Sequence, residues 1–416
     1  MKYTMKKVYN KSTMKNLSER GKKVLSPVLG RYFADFEVKK GKGCYLYGTD
    51  GKKYLDFSSG IAVCATGHAH PKVVAAAKKQ LESLIHICIG VANYESYIKL
   101  AETLAKLVPV ADPQFFFCQS GSEAVEAAIK LAKYATKKPG LVAIRGGFHG
   151  RTFGALSLTT SKMKYREGYE PLLPEVYIAE QDLKDVENIL QSKEVAALIF
   201  EPIMGEGGYV PQPANFVKGL RALCDRYGVL LIADEIQSGL GRTGQWFAIE
   251  HYGIKPDILC MAKGIASGFP LGAIAAPASL MAKWSPGSHG GTYGGNPVCC
   301  AAAIATVDVI QKNKLVKSAE RLGAYLTKKL KALQAKYPMI KDVRGSGLMI
   351  GVDFGDNGIV KKVMNFCLEN GLVIIPTGAD GTVIRMIPPL IVSKQQIDQA
   401  LAIFEKALLR FSSSGE

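Results

Sequence analysis

No stretch of the 416-residue chain approaches the ~18 consecutive apolar residues that a membrane-spanning helix needs. The longest apolar runs, such as Val229–Ala233 and Ala196–Phe200, have the length of strands. Nor does an apolar segment follow the basic N-terminus, which argues against a secretory signal. The scarcity of arginine there argues against a transit peptide. The nine cysteines contain no CxxC pair and are odd in number. In a chain this long they read as reduced, mostly buried thiols of a cytoplasmic protein rather than a disulfide framework. Histidine is sparse too. His68 and His70 form the one close pair, with no Cys or His at ligand spacing beside them, so no metal site is expected. Internal repeats and low-complexity linkers are absent.

Acidic residues are in deficit, 36 against 53 basic, which leaves a net charge of +17. Such a balance points toward anionic partners. Much of it is local. Residues 1–23 carry eight lysines and arginines against Glu19 alone and read as a solvated, partly frayed arm. No helix-turn-helix, zinc finger or aromatic–basic repeat accompanies the charge, so neither nucleic acid nor membrane is expected as a partner. What is present is an ordinary globular composition, 48% apolar and 21% charged. The length suits two or three domains. The 43 glycines exceed the usual ~7% and imply tight turns or close approaches of backbone to ligand.

Short apolar runs alternate with amphipathic stretches. Phe115–Cys118, Leu141–Arg145, Glu194–Phe200 and Val229–Ala233 read as strands, and Pro256–Met261 leads into another. Ser122–Thr136 and Pro213–Tyr227 read as helices. In the first, Val125, Ile129 and Ala132 share one face. This alternation predicts an α/β domain with a largely parallel sheet. Beyond Asn296 the pattern changes. Pro297–Lys312, Lys314–Lys336, Ile359–Asn370 and Ser393–Arg410 read as helices, with strands at Gly347–Phe354, Gly371–Ile375 and Thr382–Met386. That is a second, α+β domain. Gly43–Phe57 reads as a hairpin around Asp50–Gly51. The expected division is 1–57 for the arm and hairpin, packing with the small domain, 58–296 for a large domain and 297–416 for a small one.

Ligands of open α/β sheets lie beyond the carboxyl ends of the strands. Three such ends stand out. Phe115–Cys118 runs through Ser120, Gly121 and Ser122 into a helix, whose free N–H groups and dipole suit an anion, although plain helix capping fits as well. Val229–Ala233 ends in Asp234, a site carboxylate or a cap. The strand ending at Met261 and Ala262 is followed by Lys263, whose amine is either a snorkelling surface group or a nucleophile in partly desolvated surroundings. Together, an anion cradle, a carboxylate and an amine match the needs of pyridoxal phosphate.

At this point the sequence resembles the class III, or subgroup II, pyridoxal-phosphate-dependent aminotransferases of fold type I, in the branch of 4-aminobutyrate, acetylornithine and ornithine aminotransferases. The resemblance spans about Gly43–Leu408. It rests on Ser59–Pro71, Ser120–Lys133, Gly146–Thr152, Glu201–Gly208, Leu231–Gly244, Met261–Gly272 and Gly290–Pro297. It implies a large domain whose mostly parallel seven-stranded sheet lies between helices, plus a smaller α+β domain. It implies that Lys263 holds the cofactor and moves the proton, that Asp234 partners the pyridine nitrogen, and that Gln237 lies on the ring-hydroxyl side. Gly121 and Ser122 match the phosphate cradle, Phe148 the stacking aromatic, and Glu201 the acid that orients the Asp234 region. Thr292 matches a phosphate ligand contributed by the partner subunit, which implies a homodimer with shared active sites, or a tetramer built from it. Arg385 matches the arginine for the α-carboxylate, Glu206 the gate that pairs with it, and Arg151 a second carboxylate clamp. Ile61 matches the 4-aminobutyrate branch and falls in the substrate set. Two positions depart from that branch: Gly90 stands where glutamine is expected, and Phe148 where tyrosine is common. The implied reaction is ping-pong transfer from an ω-amino donor to 2-oxoglutarate. Acetylornithine or ornithine transamination, and racemisation or epimerisation on the same scaffold, are the alternatives.

Overall fold

The computed structural model describes residues 16–412. Most of the basic arm therefore lies outside the described residues, and its last part is the helix Leu17–Val24.

The central sheet has seven strands. From one edge they are Pro113–Cys118, Gly272–Pro277, Ile258–Met261, Leu230–Asp234, Val195–Phe200, Gly140–Ile144 and Val176–Ala179. Gly272–Pro277 is antiparallel to both neighbours, and the other pairings are parallel. Six carboxyl ends therefore open on one side of the sheet. Every residue of Val195–Phe200 is buried, as a strand covered on both faces requires. Successive side chains go to opposite layers. Leu198, Phe200, Leu231, Ala233, Leu259 and Met261 enter one apolar core together with Leu100, Leu220 and Val307 from helices Glu95–Ala105, Ala214–Tyr227 and Pro297–Lys312. Ile199, Ile232, Ile258 and Cys260 enter a second core against helix Gly121–Thr136.

A four-stranded antiparallel sheet made of Asp342–Ser346, Met349–Asp353, Val383–Met386 and Ile375–Thr377 packs on helices Leu315–Lys336, Asn357–Glu369 and Lys394–Ser412. The hairpin strands Tyr45–Gly48 and Lys53–Asp56 pair as expected, flanked by Val38–Lys42, and Leu372–Val373 joins them in parallel. Cys44, Leu55 and Phe57 share a core with Leu372 and Ile374. The single strand expected over Gly371–Ile375 is thus two. They separate at Ile374 and enter different sheets. The strand expected from Gly347 starts at Met349, because Gly347 makes a turn with φ of 54°. Two strands carry no apolar signature. Half of Gly272–Pro277 is alanine, and Asp342–Ser346 holds one aliphatic residue; both compositions are poor in strand formers. All nine cysteines are free, seven of them buried. No helix among the described residues is long and apolar enough to cross a membrane.

After Lys53–Asp56 the backbone makes a left-handed turn, with φ of 48° at Ser59, 62° at Gly60, 66° at Ile61 and 62° at Ala62. For a β-branched residue such as Ile61 this conformation is strained. Asp56 holds it in place. Its Oδ1 accepts from the N–H groups of Ser58 and Ser59 and from the Ser58 hydroxyl, and its Oδ2 lies 2.7 Å from His68 Nε2. Burial opposes a charged His68, but hydrogen bonds to Asp56 and Cys64 outweigh it and lift the imidazole to about 10. Because this pKa is raised on folding, its stabilisation is complete below the unfolded value of about 6.5 and fades as pH rises toward 10. His68→Gln should therefore destabilise the protein by about 1–3 kcal/mol near pH 6 and by less near pH 9. Urea unfolding at the two pH values checks this; a gap that stays constant or widens with pH contradicts it.

Candidate active site

Beyond the carboxyl ends lies a cavity of about 330 Å³. Gly121, Ser122, Phe148, Glu201, Asp234, Gln237 and Lys263 all line it, so seven of the residues singled out in the sequence meet in one place. Three arrive directly at strand ends: Glu201 after Phe200, Asp234 as the last residue of its strand, and Lys263 two residues after Met261. Lys263 opens a single 3-10 turn and has a left-handed φ of 47°.

The anion end is the start of helix Gly121–Thr136. Ser120 is its cap, accepting from the Glu123 N–H at 3.2 Å, and Glu123 in turn accepts from the Gln119 N–H at 2.7 Å. Capping thus falls to Ser120, which leaves the Gly121 and Ser122 end facing the cavity. A Cβ at Gly121 would stand 2.9 Å from Ile236, so a larger residue there would force the loop apart. Ser122 Oγ accepts from the Arg151 N–H at 3.2 Å.

At the opposite end Asp234 is 4% exposed. Its Oδ2 lies 2.8 Å from His149 Nδ1, and its Oδ1 accepts from the Ile236 N–H at 3.1 Å. His149 is itself buried, and its Nε2 has no hydrogen-bond partner among the described residues. Glu201 accepts from the N–H groups of Phe148 at 2.8 Å and Gly205 at 2.9 Å. Burial, with Asp234 as a second negative charge, pushes the Glu201 carboxyl up to about 7. Gln237 Oε1 accepts from the Tyr209 hydroxyl at 2.7 Å. Burial also lowers the pKa of Lys263, an effect that Glu206, Glu201 and Asp234 partly oppose. A depressed amine is the form that attacks a carbonyl and exchanges protons.

Arg385, on strand Val383–Met386, has no exposed side-chain surface. Its Nη1 is 2.6 Å from Glu206 Oε1, its Nε and Nη2 donate to the Pro376 carbonyl, and its Nη2 reaches the Tyr32 hydroxyl at 3.3 Å. Burial opposes ionisation of Glu206, but Arg385 outweighs it and holds the carboxyl below the usual carboxylate range. Tyr32 also lines a second cavity, of about 560 Å³, with Arg31, Arg151, Lys164 and Tyr165. Arg151 lies there rather than in the first cavity, its guanidinium 4.6 Å from the Tyr165 ring centre. Ile61 sits beyond the first cavity's lining, on the left-handed turn, two residues before Val63, which does line it. Thr292 is exposed and outside both cavities. His149 stands out in the sequence only as the neighbour of Phe148, and Tyr32 carries no sequence signal. His149 lies inside the quoted motif Gly146–Thr152, whereas Tyr32 precedes the region of resemblance.

An amine, a buried carboxylate, an aromatic wall and a helix start around one cavity suit the aldehyde, ring nitrogen, ring face and phosphate of pyridoxal phosphate. The model of the family "Aminotransferase class-III" matches residues 30–408, and the chain belongs to that family of pyridoxal-phosphate-dependent aminotransferases. The acetylornithine aminotransferase of Archaeoglobus fulgidus is 43% identical over 366 residues, 88% of this chain and 94% of its own. The 5-aminovalerate aminotransferase DavT of Pseudomonas putida is 41% identical over 392 residues, 89% of this chain and 92% of its own. The crystal structure of ornithine aminotransferase from Toxoplasma gondii superposes with a TM-score of 0.89 at 30% identity, covering 95% of this chain and 94% of that one.

Lys263→Ala removes the cavity's amine. Loss of proton transfer alone should lower turnover by about 10²–10⁴-fold. Steady-state transamination at the wild-type rate would contradict the position of Lys263 in the reaction.

Proposed function

We propose that this aminotransferase moves the amino group of an ω-amino donor, of the 4-aminobutyrate kind, to 2-oxoglutarate in two half-reactions at one site. The observation that carries this reading is the closed ion pair between Glu206 and Arg385. An ω-amino acid presents a carbon with no carboxylate to the reacting centre. With Arg385 neutralised by Glu206, that end of the substrate meets no unpaired charge. Glutamate and 2-oxoglutarate carry an α-carboxylate, which can take the planar fork of Arg385 once Glu206 moves away.

Pyridoxal phosphate, when bound, would supply an aldehyde for the substrate amine and a ring that accepts the electrons of the C–H bond broken at the amine-bearing carbon. The protein does the rest. Lys263 Nζ would hold the cofactor and, once the substrate amine displaces it, would take the proton from the amine-bearing carbon and return it on the other side of the amine nitrogen. Asp234, held by His149 and the Ile236 N–H, keeps the ring nitrogen protonated. The Gly121–Ser122 helix end receives the phosphate, Phe148 covers one ring face and Gln237 lies beside the ring hydroxyl. Glu201 orients the Asp234 region, and Arg151 with Ile61 meets the distal end of the donor. Thr292 reaches the site of the partner subunit in a homodimer. Its exposure, and that of neighbouring Tyr293, together with Ile85 and Val91, supports that assignment. The free thiols fit a cytoplasmic setting.

An acetylornithine- or ornithine-type donor is the second reading. It is favoured by the Archaeoglobus relative and by Phe148 and Gly90, which depart from the 4-aminobutyrate branch. The test is a donor panel with 2-oxoglutarate containing 4-aminobutyrate, 5-aminovalerate, N-acetylornithine, ornithine, lysine and β-alanine, with chiral analysis of the amino acids. The reading predicts the highest kcat/KM for a donor without an α-carboxylate and no inversion of configuration. Preference for N-acetylornithine would move the assignment to the second reading, and racemised substrate without oxo-acid formation would overturn both.

A further inference from the structure

Glu206 stands among three cations. Its Oε1 is bound to Arg385, its Oε2 faces Lys162 Nζ at 4.0 Å, and Lys263 adds a third positive charge nearby. Only the Arg385 contact is short enough for a hydrogen bond. The backbone around Glu206 is held on both sides. The Gly205 N–H is held by Glu201, and a Cβ on Gly205 would stand 2.5 Å from Gln237 Nε2. A Cβ on Gly207 would stand 2.6 Å from the Gly146 carbonyl, and the Glu206 carbonyl accepts from the Gly378 N–H at 3.1 Å. A departure of the Glu206 carboxylate from Arg385 is therefore a turn of its side chain.

Lys162 is well placed to meet that motion. The two residues before it are pinned, since the N–H groups of Thr160 and Ser161 both donate to the Gly147 carbonyl. Its side chain is only 14% exposed, and among the described residues Glu206 is the one carboxylate within ion-pair distance of it. Burial lowers its pKa, and Glu206 is the neighbour that opposes this most.

We propose that Lys162 is the alternate dock of the Glu206 carboxylate, receiving it when an incoming α-carboxylate takes Arg385. The inference rests on the gate described under the proposed function and extends it. A carboxylate displaced from Arg385 stays inside the protein, next to the carboxylate that displaced it. Left unpaired, it would suffer both desolvation and like-charge repulsion. With Lys162 engaged, two carboxylates share the site with two cations, and the exchange leaves no charge unanswered. Turning Oε2 the last ångström toward Nζ converts a marginal contact into a hydrogen-bonded one. Lys162 is thus a positioning residue that sets affinity for α-carboxylate substrates without touching them.

The test is stopped-flow measurement of the two half-reactions in the holoenzyme, with an ω-amino donor and with glutamate. Lys162→Met should reduce the apparent second-order rate constant for glutamate about tenfold or more, an effect the size of one lost buried ion-pair contact, while the ω-donor step changes far less. Lys162→Arg should restore glutamate. Combining Lys162→Met with Glu206→Gln should add no further loss, because the displaced charge no longer exists. Equal losses in both half-reactions, or no loss, would overturn the proposal, as would an undiminished penalty in the Glu206→Gln background, which would mean direct contact with substrate. Failure of the gate itself looks different: Glu206→Gln alone would then fail to separate the two half-reactions.

Discussion

A guanidinium stays charged at any pH a protein meets, so a fully buried one needs its charge answered from inside. Arg385 is in that position. Its strand belongs to the antiparallel sheet of the C-terminal part, while Glu206 lies in the segment that follows strand Val195–Phe200 of the seven-stranded sheet. The ion pair therefore ties the two sheets together just outside the lining of the first cavity, close enough for Lys263 to act on Glu206 electrostatically. Removing one partner of such a pair typically costs about 3–5 kcal/mol. The pair can be exchanged for another carboxylate far more readily than it can be left open. The proposed gate answers this constraint by exchanging one carboxylate for another.

The chemistry on the other side of the cavity depends on the direction of the strands. Because six of the seven are co-directional, Glu201, Asp234 and Lys263 emerge at one edge, and the helix that follows Pro113–Cys118 brings its N-terminus to the same edge. The burial that lowers the Lys263 amine is the same burial that lifts Glu201 to about 7. The two groups are driven toward their neutral forms, while Asp234 is secured by two donors. A basic amine and a fixed anion in one enclosed space are what proton movement at a cofactor ring requires.

Much of this could be read in the sequence, and the limits have physical causes. Val195–Phe200 and Val229–Ala233 declare themselves as unbroken apolar runs because the strands they form are covered on both faces. Gly272–Pro277 does not, since its small residues carry no strand signal and its neighbours decide its conformation. The parting of Leu372–Val373 from Ile375–Thr377 is likewise invisible, because pairing partners far away in the chain set it. Among site residues, those that follow strands or begin helices were legible. Tyr32 and Lys162 were not. Their meaning lies in a contact with Arg385 or Glu206 across the fold, and neither stands at a strand end. Ile61 was matched by motif, but its strained backbone appears only in three dimensions.

In the proposed reaction one site serves two kinds of amino substrate because Glu206 screens Arg385 in one half-reaction and releases it in the other. The most direct measurement is the single-turnover rate of Glu206→Ala with an ω-amino donor and, separately, with glutamate. The expected result is a selective loss with the ω-amino donor, because Arg385 is left buried and unpaired, and near-normal reaction with glutamate, whose α-carboxylate replaces the missing partner. Equal losses with both substrates would contradict it.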